Sequence, residues 1–231
     1  MIRSRIRKTP LLLAIAVVVA ATALIPGPVA AGTDSGKVTV VHAVPDLTVD
    51  VYANKALLLE DFDPGTITDP VPLAPATYNI EVTPADSSTV VLAASVPVDA
   101  ETDAAAVAHL DEAGNPTLGL FANNIKSIER NRARVTVRHT AAAPEVAVRF
   151  QRSGRRWQYL TKDIMNGEQA KRGFRARTYN FDVVLAGTKD RVLGPVTLAL
   201  EPGTHYFVYA WGSASDGSLA LNLSTRDLPV R

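Results

Sequence analysis

The sequence predicts an all-β protein: two tandem antiparallel β-sandwich domains of immunoglobulin-like build, following an export signal. Three observations predict it. Apolar and polar residues alternate along short runs, as in Val38-Thr39-Val40 and Val49-Asp50-Val51. Turn-forming residues separate those runs, at Pro45-Asp46, Asp63-Pro64-Gly65, Pro84-Ala85-Asp86, Gly114-Asn115-Pro116, Pro202-Gly203 and Asp216-Gly217. Blocks of the first half return in the same order in the second. Fifteen prolines and fourteen glycines argue further against long helices.

The chain opens with Arg3, Arg5, Arg7 and Lys8, then runs apolar from Leu11 to Leu24, broken only by Thr22. Pro26-Gly27-Pro28 and the small residues Val29-Ala30-Ala31 follow. A positive start, a short apolar run and a small-residue site make a secretory signal peptide over residues 1–31, with cleavage expected after Ala31. The apolar run, about 14 residues, falls short of the roughly 20 that span a bilayer, although an uncleaved signal anchor is the alternative. No Arg-Arg pair precedes the run, which favours the general secretion route over the twin-arginine one. No cysteine occurs anywhere, so disulfides, thiol catalysis, thiolate metal sites and a lipidated cysteine are excluded together. The C-terminus, Asp227 to Arg231, shows neither an apolar tail nor a wall-sorting motif. The mature chain is therefore expected to lack a transmembrane segment, and to be secreted or held in the cell envelope without a covalent tether.

The repeat sets the domains. Lys37-Val-Thr-Val-Val-His42 returns as Arg134-Val-Thr-Val-Arg-His139, and Thr77-Tyr-Asn-Ile-Glu-Val82 returns as Thr178-Tyr-Asn-Phe-Asp-Val183. Leu118-Gly-Leu120 is matched with Leu219-Ala-Leu221. The offset grows from 97 to 101, which requires a net insertion in the second copy between positions 149 and 177. The first repeat then covers 36–125, a linker 126–132, and the second repeat 133–231. The alanine-rich stretch 99–109 could be helical taken alone. Its counterpart, His205-Tyr-Phe-Val-Tyr-Ala-Trp211, is strand-like in composition and overrules that reading.

Val38-Thr-Val-Val-His-Ala-Val-Pro-Asp46, with Val49-Asp-Val-Tyr-Ala-Asn54, Phe62-Asp-Pro-Gly65, Pro75-Ala-Thr-Tyr78 and Val107-Ala-His-Leu110, resembles the domain-of-unknown-function family 4397. The second half resembles it through Val135-Thr-Val-Arg-His-Thr-Ala-Ala-Ala-Pro144, Ala186-Gly-Thr188 and Val208-Tyr-Ala-Trp-Gly-Ser213. The resemblance implies two tandem copies in an exported or surface protein of the actinobacterial type. It implies no reaction, cofactor or ligand. One stretch departs from the pattern. Where a short hairpin is usual, the second copy carries Arg149-Phe-Gln-Arg-Ser-Gly-Arg-Arg-Trp157, and Lys171-Arg-Gly-Phe-Arg-Ala-Arg177 stands further on.

Net charge is +1 over the whole chain, an average that hides a split. From Asp34 to Ile125 two lysines face fourteen Asp or Glu, a net of −12; from Lys126 onward eighteen Lys or Arg face nine acids, a net of +9. Either the halves dock on each other, or the basic half faces an anionic partner. The basic residues Arg149, Arg152, Arg155, Arg156, Lys171, Arg172, Arg175 and Arg177, with Trp157 among them, are the candidate anion- or glycan-binding set. Guanidinium groups grip phosphate or carboxylate bidentately, and an aromatic face stacks on a sugar. The alternative is a solvated hairpin whose aromatic residues point inward. Candidate partners are an anionic cell-wall polymer, a glycan or another surface protein; the export signal argues against nucleic acid.

No catalytic, cofactor or metal site is expected. His42 and His139 occupy equivalent positions beside a Pro-containing turn and suit a repeated bond to turn backbone. Glu60, Asp61, Asp63 and Asp69 make an acidic loop without a calcium-binding repeat. Asp99, Glu101 and Asp103 suit an exposed face or a turn. No Gly-x-Ser-x-Gly elbow or glycine-rich phosphate loop is present. The expected function is a non-catalytic secreted or envelope binding module. The alternatives are a hydrolase of envelope or extracellular polymers and a purely structural surface pair.

Overall fold

The computed structural model describes residues 35–231, so the expected signal peptide lies outside the described residues. Every regular element among the described residues is a strand. The first half runs β1 (Gly36–Ala43), β2 (Val49–Ala53), β3 (Ala56–Phe62), β4 (Val71–Leu73), β5 (Ala76–Pro84), β6 (Leu92–Val98), β7 (Asp103–Leu110) and β8 (Pro116–Ala122). The second runs β9 (Arg132–Ala142), β10 (Val146–Gln151), β11 (Gln158–Ile164), β12 (Gln169–Arg175), β13 (Thr178–Leu185), β14 (Arg191–Ala199), β15 (Thr204–Ser213) and β16 (Ala220–Asp227). The alanine-rich segment is thus a strand, β7.

Four four-stranded sheets result. In the first sandwich the sheet β4-β1-β7-β8 faces β3-β2-β5-β6; in the second, β12-β9-β15-β16 faces β11-β10-β13-β14. The second sandwich therefore repeats the strand order of the first. Each is antiparallel except for one pair: β1 runs parallel to β7, and β9 parallel to β15. Alternation along the strands fills each interior. Val38, Val96, Val98 and Ala106 form one cluster of the first core, and Val49, Val51, Phe62 and Val82 another. The second core is larger and aromatic, with Phe150, Phe174, Tyr179, Phe181 and Tyr206 around Val135, Val137, Val146 and Val148.

Register locates the difference between the halves. Val49 pairs with Phe62 across the first hairpin, and Val146 with Ile164 across the second. The β2–β3 hairpin turns on two residues, Asn54 and Lys55, both with positive φ (50° and 68°), the two-residue geometry that matches strand twist. The β10–β11 hairpin needs residues 152–157. The insertion in the second half is this basic loop. Register also corrects one sequence match: Ala108 pairs with Leu118 and its counterpart Ala210 with Leu221, so Leu118 corresponds to Leu221 rather than Leu219.

The histidines repeat a role. His42 Nε2 donates to the Leu47 carbonyl (2.6 Å) and His139 Nε2 to the Pro144 carbonyl (3.0 Å). Their Nδ1 atoms accept from the N–H of Val44 (3.4 Å) and Ala141 (3.5 Å). Both imidazoles are buried, which holds them below the usual histidine range and keeps them neutral.

The sandwiches meet through the outer faces of equivalent sheets. Val41, Ala43, Ala105, Val107 and Phe121 of the first pack with Phe207 and Tyr209 of the second in one continuous apolar cluster, flanked by Ile67 and Trp211. At its centre Arg138 is fully buried and, among the described residues, forms no ion pair. It donates to Tyr209 Oη (2.7 Å), Asn123 Oδ1 (2.6 Å) and Gln169 Oε1 (3.1 Å), and lies 5.0–5.2 Å from the rings of Phe121, Phe207 and Tyr209. Burial lowers its pKa. Asp103, expected on an exposed face or turn, instead pairs with Arg226 across this interface. Residues 126–132 are likewise tied down: Ile128 is buried and exchanges backbone bonds with Pro229 and Arg231.

Candidate functional site

The strand alternation of β10 and β12 builds a cleft at one end of the second sandwich. Phe150 on β10 and Phe174 on β12 point inward and meet edge to face, with ring centroids 4.9 Å apart; Tyr179 of β13 closes on Phe174 at 5.2 Å. These rings floor a cavity of about 510 Å³. One wall is the β10–β11 loop, which supplies Arg152, Arg155 and Arg156. Gly154, with φ of +70°, makes the tight reversal there, and the Arg155 N–H bonds to the Arg152 carbonyl (2.9 Å). The other wall is β12, an edge strand of the opposite sheet, with Arg172 and Arg175. Gln151 and Gln158 complete the lining.

Arg172 is the member with a protein partner. Its Nη1 donates to the carbonyl of Tyr159 on β11 (2.8 Å), lacing the edges of the two sheets together. Its guanidinium carbon sits 4.9 Å from the Phe150 centroid and 5.9 Å from that of Phe174. Among the described residues, no carboxylate comes within ion-pair distance of Arg152, Arg155, Arg156, Arg172 or Arg175. Five cations therefore face one concavity without internal neutralisation.

Residues 36–149 match the family DUF4397, described as a domain of unknown function. The DUF4397 match takes in the whole first sandwich, β9 and most of β10, and stops before the basic loop. The chain has no match among curated proteins. Among solved structures, the Bacillus anthracis TIE protein is 9% identical, over 85% of this chain and 44% of its own length, with a TM-score of 0.24. This chain thus spans less than half of that protein. A candidate cell adhesion protein from Bacteroides uniformis is 9% identical, over 84% of this chain and 99% of its own, with a TM-score of 0.25.

The structure divides the nine residues expected from the sequence. Five line the cleft and four do not. Arg149 is buried on the outer face of β10, its Nε 3.0 Å from Asp182 Oδ1 and its Nη2 2.7 Å from Oδ2. Those hydrogen bonds raise its pKa above the ordinary arginine value and occupy its fork. Arg149 is therefore removed from the candidate anion-binding set. Trp157 is removed with it as a sugar platform in the cleft: its ring covers this ion pair, 5.1 Å from the Arg149 guanidinium carbon and 6.0 Å from that of Arg191. Lys171, exposed on β12 opposite Thr136, does not line the cavity. Arg177 is exposed beyond the end of β12 and does not line the cavity.

The acidic stretch around Asp63 has structural work instead. Phe62 is core, Asp63 Oδ1 accepts from Thr48 Oγ1 (2.8 Å), and the Asp61 N–H bonds to Asp50 Oδ1 (3.0 Å). Among the described residues no three His, Asp or Glu side chains converge as a metal site would require. Ser213, Ser215 and Ser218 bond to one another and to turn backbone. Asn222 and Trp211 were not singled out by sequence reasoning. Asn222 donates to the Gly65 carbonyl, and the Trp211 ring lies 3.0 Å from where a Cβ on Gly65 would stand, so both serve the join between the sandwiches.

Proposed function

We propose that this chain is a non-catalytic, exported binding module of the cell surface or envelope that holds an anionic polymer or glycan in the cleft of its second sandwich. The observation that carries the reading is the meeting of five arginines without ion-pair partners, from the β10–β11 loop and the edge strand β12, over one cavity. Repulsion among such cations is relieved by an anionic ligand, and a partly enclosed site screens their field less than open water does. Export rests on the residue pattern of the first thirty-one positions. The family match and the repeated strand order support reading the second sandwich as a diverged copy of the first, with the loop insertion as the divergence that matters. The docked interface favours a structural role for the pairing itself: it presents the cleft on a rigid two-sandwich body. A hydrolase gains no support, because the cleft holds cations and amides but no carboxylate, histidine or hydroxyl nucleophile with a base.

The test is retention of the purified chain on anionic polymer beads at low salt. Wild-type protein should be retained and released as salt rises, and the Arg155→Ala/Arg156→Ala variant should pass through. Equal retention of the two proteins would retire the cleft as the site.

A further inference from the structure

The charge and shape of the cleft narrow the ligand beyond "anionic". A carboxylate has only two oxygens and accepts one guanidinium fork and little more, as Asp182 does from Arg149 and Arg191. A glycan with isolated carboxylates would leave most of five arginines unpaired in the same cavity. A phosphate group presents oxygens in several directions and accepts from forks on opposite sides at once. Arg155 and Arg156 approach from the loop, while Arg172 and Arg175 approach from β12. Arg172 is already held by Tyr159 and the Phe150 ring, which spares the ligand part of the ordering cost of that side chain. Gln151 and Gln158 on the same lining offer neutral donors and acceptors suited to hydroxyls between phosphates. A concavity of about 510 Å³ with basic residues on two walls suits a chain entering it better than a flat array of headgroups. We propose that the cleft takes closely spaced phosphate groups along a polymer chain, with Arg172 as the preset contact; this rests on the anion-binding reading above.

Binding of the purified chain to inorganic polyphosphate, polygalacturonate and anionic phospholipid vesicles, at equal anionic charge and moderate salt, tests it. Polyphosphate should bind at least about tenfold more tightly than polygalacturonate, the difference one charge-assisted hydrogen bond makes. Arg172→Ala should lose about tenfold or more toward polyphosphate. Because Arg172 also laces two sheet edges, the exposed loop pair Arg155→Ala/Arg156→Ala gives the same test without touching the fold. Lys189→Ala, which removes one charge from the β13–β14 turn, should bind as wild type. Equal binding of polyphosphate and polygalacturonate, with the loop variant impaired toward both, would overturn the phosphate preference and leave anion binding standing. Vesicles bound as tightly as polyphosphate would overturn the chain-in-cleft geometry. Binding of none of the three would overturn both readings.

Discussion

Arg149 grips Asp182 with two parallel hydrogen bonds on the outer face of the second sandwich, and Arg191 Nε adds a third contact to Oδ2 at 3.0 Å. The Asp182 side chain is fully buried and that of Arg149 nearly so. Removing one partner strands the other's charge without water. Asp182→Asn is expected to cost about 3–5 kcal/mol, while Arg149→Leu/Asp182→Leu costs less because no buried charge is left behind, the remaining Arg191 being open to water. Denaturant midpoints of the two variants check the order. Neither change should alter retention on anionic beads, since neither residue lines the cleft.

Arg138 locks the two sandwiches. Its loss leaves Asn123, Tyr209 and Gln169 without their donor and opens a space among three rings. Arg138→Ala is expected to destabilise by about 3–5 kcal/mol, the range for a large buried side chain cut to alanine. The single calorimetric transition expected for wild type should broaden or split, because the lost contacts are those that couple the halves.

Two glycines at matching turns separate the interface from the turn. Gly65 and Gly167 donate their N–H to the carbonyls of His42 and His139, both at 2.7 Å, with φ of +80° and +81°. A Cβ on Gly167 meets nothing within 4 Å, whereas one on Gly65 meets Trp211 at 3.0 Å. Gly167→Ala should cost only the left-handed backbone penalty, about 1–2 kcal/mol. Gly65→Ala should cost more, and thermal unfolding compares them directly.

Acid should weaken the fold through His205. Desolvation, with repulsion from Arg134 and Arg138, lowers its pKa to about 3; its Nε2 meets Thr136 Oγ1 at 2.8 Å. The unfolded chain takes up a proton near the ordinary value of about 6.5 while the folded chain refuses it. Stability from this group is full above that value and is lost progressively as pH falls toward 3. At pH 5 the loss is about 2 kcal/mol. His42, His109 and His139 act in the same direction, as burial lowers each. Melting temperatures from pH 7 to pH 4 should fall, and less steeply in His205→Phe.

Much of the strand pattern was legible because alternation is a local property that each segment states by itself. Val38-Thr-Val-Val-His42 reads as β1 without its neighbours, and the repeat carried Ala104–Ala108 to a strand where composition pointed elsewhere. The basic loop was legible because it interrupts a hairpin. The split of the nine candidates was not. Arg149 and Arg152 look alike as letters, but Arg149 occupies an outward strand position opposite Asp182, and that pairing depends on register between β10 and β13. Arg138 was passed over because a guanidinium in a strand ordinarily faces water; only the first sandwich, docking over it, buries it.

By itself the sequence determined the class of fold, the doubling of strand order, the opposite charge of the halves and the place of the basic insertion. These follow from periodicity, turn chemistry and counting, which need no partner strand. Tertiary structure alone decided which arginines remain free and which are consumed. An arginine's chemistry is set by what approaches its five donors, and that is a matter of strand register, sheet facing and burial. The cleft exists because the β10–β11 loop of one sheet and the edge strand β12 of the other bring Arg155 and Arg172 to the same cavity from opposite walls.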